Sequence, residues 1–161
     1  MDASALISAL QESLFVIVVL LLFISLAMIK GRQTLINLIM GLYLALLISL
    51  EFPYYSYIVG GSGSSKTTSV LMVIVFIVFT FLSYLLFNRL MPREYDEKAF
   101  EGFGKKFLYA ILATILVVIY SYHALPVTDL VDPGSPVASI FGSESSFFWW
   151  LLVPLVTLFF L

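Results

Sequence analysis

The chain has 161 residues, 61% hydrophobic and 11% charged, with a mean hydropathy of +1.09 and a formal net charge of −2. A soluble domain carries about 25% charged residues, and so few charges cannot cover a water-soluble surface; the composition instead predicts one all-α membrane domain of about four helices at roughly 20 residues each. The acidic balance leaves no electrostatic footprint for nucleic acid, and the lack of cysteine with a single histidine, His123, excludes disulfides, thiolate chemistry and a multi-histidine metal site.

The first twelve residues contain Asp2 and Glu12 but no Lys or Arg. Ser25-Leu26-Ala27 loosely resembles a cleavage site, but a secretory signal needs a basic leader. The segment therefore reads as a retained first span, residues 13–29. Lys30-Gly31-Arg32 follows, and span two begins almost at once, at 34–50. A connection this short predicts an antiparallel helical hairpin.

Span two carries Asn37, Gly41, Ala45 and Ser49 at four-residue spacing, which places them on one helical face. Small residues on one face let a second helix approach closely, the usual way helices pack in lipid. The stripe predicts a packing seam, within the chain or between protomers, with Asn37 bonding across it. Chance is the alternative, since Gly and Ala are common in membrane helices. Glu51-Phe52-Pro53 ends the span, and Tyr54, Tyr55 and Tyr57 suit the membrane–water boundary. The loop GGSGSSKTT, 60–68, resembles a phosphate loop through Gly60, Lys66 and Thr67, but Ser65 stands where that loop requires glycine. No cofactor is expected.

Span three covers 70–90, and Arg89, Pro92 and Arg93 mark its exit. In the charged segment that follows, Tyr95, Ala99, Phe100 and Phe103 fall near one face, and Glu94, Asp96, Glu97, Lys98 and Glu101 cover the other. This predicts a short helix lying in the cytoplasmic interface on Tyr95, Phe100 and Phe103. It would be a docking platform for a cytoplasmic partner, or only a connector resting on lipid. Span four covers 107–122, with His123 at its outer end. Pro126, Pro133, Gly134 and Pro136 then break any helix. The terminal FFWWLLVPLVTLFFL, 147–161, would form about 22 Å of helix, against about 30 Å of hydrocarbon. It reads as a partial or re-entrant segment anchored by Trp149 and Trp150, with a full fifth span as the alternative.

Seven of the eight Lys and Arg residues fall beside the first and third connections; Lys66 alone lies opposite. That side should be cytoplasmic, leaving the N-terminus outside. No charge lies well inside a span, which argues against proton coupling. No acid–base or nucleophilic constellation suggests an enzyme.

The order of features resembles the colicin V production protein family, the CvpA-like membrane proteins. The likeness lies in a first span without a basic leader and in Lys30-Gly31-Arg32 running into a Gly-containing second span. It continues in a long third span with a basic exit at Arg89 and Arg93, and in a polar link through Gly102 and Gly104. The resemblance implies a bacterial inner-membrane protein of four spans without catalytic residues, associated with toxin (colicin) export and envelope processes. The reading is then a non-enzymatic protein that packs in membrane lipid with itself or with another membrane protein. The alternative is a small channel or transporter subunit whose pore forms on oligomerisation.

Overall fold

A computed structural model describes residues 3–59, 65–91, 102–125 and 140–160. No strand occurs among them. The helices, in order, are α1 Ala3–Lys30, α2 Arg32–Leu50, α3 Tyr55–Val59, α4 Ser65–Leu90, α5 Phe103–His123 and α6 Glu144–Phe160. Helix is the expected answer for such a chain, because in lipid each backbone N–H and C=O must find its partner within the segment. Arg32–Leu50, Lys66–Leu90 and Phe103–His123 are long and apolar enough to cross a membrane; Leu14–Lys30 and Ser146–Phe160 are shorter apolar stretches.

The helices overrun the apolar runs that announced them. Helix α1 starts at Ala3, α4 at Ser65 and α5 at Phe103, since the backbone ladder continues through polar residues that are adequate helix formers. Gly31 is the only residue separating α1 from α2, with φ 86° and ψ 171°. That region is essentially closed to side-chain-bearing residues, so the corner depends on glycine.

Helices α2 and α4 run antiparallel. Gln33 at the start of α2 meets Met91 just past α4, Gly41 meets Tyr84, and Phe52 beyond α2 meets Phe79. Helix α5 is the hub, packed against α1, α2 and α6. Its interior face buries Tyr109, Ala110, Ala113, Leu116, Ile119 and Tyr120. Against these lie Phe23 and Ala27 of α1 and Leu35, Ile39 and Leu42 of α2. Lipid tails are as apolar as leucine, so this core is held by close van der Waals packing and hydrogen bonds more than by escape from water. Helix α4 lies at the edge, against α2 and the short α3, with Val70, Ile74, Ile77, Phe81 and Leu85 exposed.

The terminal apolar segment is one continuous helix of 17 residues with Pro154 inside it, about 25 Å long. It packs on α5, and Pro154 is buried.

Candidate functional site

The stripe of α2 is buried along its length: Asn37, Gly41, Ala45 and Ser49 all lie inside the bundle. Gly41 faces the backbone of α4. A Cβ placed there would stand 3.0 Å from the Tyr84 nitrogen, 3.3 Å from its Cα and 3.5 Å from the Ser83 carbonyl carbon. Two helix backbones meet here with no side chain between them.

Polar and aromatic contacts close both ends of this seam. At the α2 start, Gln33 Nε2 donates to Asn37 Oδ1 at 3.1 Å and touches Met91 Sδ at 3.6 Å. Asn37 was expected to bond across the seam; its amide oxygen instead accepts from Gln33 on its own helix, and Gln33 makes the cross-helix contact. One helical turn separates residues 33 and 37, so the longer Gln side chain sits above the Asn and reaches outward. At the other end, Ser49 Oγ pairs with the Tyr55 hydroxyl. Phe52 packs edge-on against Tyr55 and Phe79, with centroids 5.1 Å away in both cases.

Two tyrosines, Tyr120 buried and Tyr43 half-buried, were not legible as site residues. Tyr120 is fully buried, its ring edge-on to Phe76 at 5.8 Å, and its hydroxyl has no partner among the described residues. Tyr43 donates its hydroxyl proton to the Leu151 carbonyl of α6. That carbonyl lies three residues before Pro154, where a proline disturbs the preceding turn by lacking an N–H and crowding the i−4 carbonyl. The carbonyl that Pro154 leaves without its N–H is that of Trp150, so Tyr43 bonds the neighbouring carbonyl and ties α2 to α6 without replacing the missing bond. A tyrosine in mid-span, whose hydroxyl needs a partner, is the signal the sequence offers for both.

His123 ties α5 to the segment before α6. Its Nε2 donates to the Phe141 carbonyl at 2.7 Å, and its ring lies 4.6 Å from that of Phe147. Trp150 Nε1 donates to the Ile140 carbonyl at 3.3 Å. Five span hydroxyls bond back along their own helices: Ser25 to Leu21, Thr80 to Phe76, Thr114 to Ala110, Ser121 to Val117 and Thr157 to Val153. They offer little to a solute.

Tyr95 and Phe100 lie outside the described residues, as does all of 92–101. Phe103 does not end a separate short helix; it is the first residue of α5, stacked on Phe107 at 6.4 Å. Gly102, with φ 118°, stands immediately before it as the N-cap. Lys66 and Thr67 belong to the first turn of α4, and residues 60–64 of the phosphate-loop resemblance lie outside the described residues. Among the described residues, no three His, Cys, Asp or Glu side chains gather as a metal site.

No family model, curated protein or solved structure matches the chain.

Proposed function

We propose that the chain is a non-enzymatic membrane protein of four spans, with α6 as a partial fifth segment. It supports export or envelope processes by packing with a copy of itself or with another membrane protein. The resemblance to colicin V production proteins points to the bacterial cytoplasmic membrane. The positive-inside rule puts the Lys30/Arg89 end in the cytoplasm and the N-terminus outside.

The observation that carries this reading is the close α2–α4 backbone contact at Gly41. Around it the interior is mostly apolar, from Leu35 and Ile39 to Leu116 and Ile119, with Asn37, Ser49, Ser69 and Ser83 the small polar side chains buried there, and the Thr114 hydroxyl serves its own helix. A pore needs polar lining or a water-filled path. The outward face of α4, from Val70 to Leu85, presents aliphatic and aromatic side chains, which suits lipid or a packed helix better than water.

The test is the mass of the complex in mild detergent together with solute flux through proteoliposomes. A discrete complex larger than the 18.0 kDa chain, with flux equal to that of empty vesicles, supports the packing role. A discrete complex that passes ions or small solutes would replace it with the oligomeric channel. A monomer without partners would refute both.

A further inference from the structure

The segment 140–160, which ends in α6, is attached to the bundle differently from the other long helices. The apolar core is built from α1, α2, α4 and α5 together with Leu125, and no aliphatic or aromatic side chain of this segment belongs to it. Phe141, Phe147, Trp150, Leu151 and Leu158 are only partly buried against that core. Pro154 is the buried residue among the described residues of α6, and it has no backbone N–H to give. On the other face Trp149, Val153 and Phe159 are exposed.

The segment also satisfies its own donors. Ser146 Oγ bonds the Ser143 carbonyl at 2.9 Å, Trp150 Nε1 the Ile140 carbonyl at 3.3 Å and Thr157 Oγ1 the Val153 carbonyl at 2.7 Å. The bonds that cross to it come from the bundle and end on backbone carbonyls: His123 of α5 holds Phe141, and Tyr43 of α2 holds Leu151. A helix whose backbone bonds lie within itself stays satisfied in lipid when its neighbours leave. Helices in lipid are held to one another by packing and by bonds of this kind. Departure of α6 therefore costs these two bonds and a one-sided contact, whereas removing α1, α2, α4 or α5 would open the core itself. Elements with the least buried contact are the ones that open alone.

We infer that residues 140–160 are a releasable strap. They leave α5 and α2 as one unit while α1, α2, α4 and α5 stay assembled, with His123 and Tyr43 as the two catches. Release changes the surface that the bundle shows to lipid, by uncovering α5 and the Tyr43 hydroxyl, without unfolding a helix. The inference concerns how this chain moves and does not rest on the proposed packing role.

Pulsed electron–electron distance measurements on spin-labelled cysteines test it, with the full chain in phosphatidylcholine vesicles. The chain has no cysteine of its own, and dilution with unlabelled chain restricts the reading to pairs within one molecule. Ile17→Cys with Val153→Cys reports the strap against the bundle, and Ile17→Cys with Ile74→Cys reports the bundle alone; all three positions are exposed. Tyr43→Phe with His123→Ala removes both catches and should raise the ratio of released to seated strap on the order of 5- to 150-fold, as two ordinary hydrogen bonds imply. The strap pair should then show a second, longer distance, while the bundle pair keeps the single distance of the parent. A strap pair that keeps one unchanged distance after both catches are removed overturns the inference. A bundle pair that shifts together with the strap pair also overturns it, because the helices would then loosen as one body.

Discussion

Gly41→Leu presses directly on the closest contact in the bundle. Even a Cβ at this position would lie 3.0 Å from the Tyr84 nitrogen, where carbon contacts are optimal at about 3.5–4.0 Å. The obstacle is α4 backbone, which cannot rotate aside as a side chain can. Helix α4 must retreat by about half an ångström for the Cβ alone, and by more for the rest of a leucine. Retreat loosens both the Phe52–Phe79 contact and the Gln33–Met91 contact, because the same two helices carry them. Overpacking of this kind costs about 1–3 kcal/mol. At about 2–4 °C per kcal/mol for a chain of this size, the thermal midpoint in mild detergent should fall by roughly 2–12 °C. Gly104, in the first turn of α5 with nothing within 4 Å of an added Cβ, is the control. Gly104→Ala should be neutral or stabilising by up to about 1 kcal/mol through helix propensity. A Gly41→Leu midpoint equal to the parent's would refute the backbone contact.

Gly31→Ala should cost about 1–3 kcal/mol through backbone strain alone, read as a lower midpoint; an unchanged midpoint would mean the corner does not need positive φ. Tyr43→Phe should cost about 0.5–1.5 kcal/mol for the lost bond to Leu151. An unchanged midpoint would show that α6 does not depend on this bond. Tyr120→Phe removes a buried hydroxyl that has no partner among the described residues and should be neutral or stabilising; a loss above about 1 kcal/mol would show that the hydroxyl is bonded in the membrane.

Span positions were legible because apolar runs and their Gly, Pro and charge boundaries are local signals. The expected spans 34–50, 70–90 and 107–122 fall inside α2, α4 and α5. The spacing of Asn37, Gly41, Ala45 and Ser49 is also local, and it marks a shared face. Which helix Gly41 meets is not local: Tyr84 lies 43 residues away in sequence, and the spacing suits a second protomer equally well. The polar partnerships were the least legible. Tyr43 finds Leu151 and His123 finds Phe141, each through a backbone carbonyl, and a carbonyl leaves no mark in a sequence. Helix starts were misplaced for a different reason. Polar residues such as Gln11 and Lys66 mark the edge of an apolar run but do not stop a helix, so α1 and α4 begin earlier than hydropathy suggests.

The claim on which the account rests is that the bundle interior is packed and dry. The chain has no cysteine, so a single introduced thiol gives an unambiguous report. Ala113→Cys on α5 and Ala45→Cys on α2 replace residues that are 0% exposed, and Ile74→Cys on the open face of α4 reports lipid exposure. In proteoliposomes, a small water-soluble thiol reagent should leave positions 45 and 113 unmodified from either side, and a lipid-soluble reagent should reach position 74. Rapid modification of 45 or 113 by the water-soluble reagent would reveal an aqueous path through the bundle and contradict the packing account.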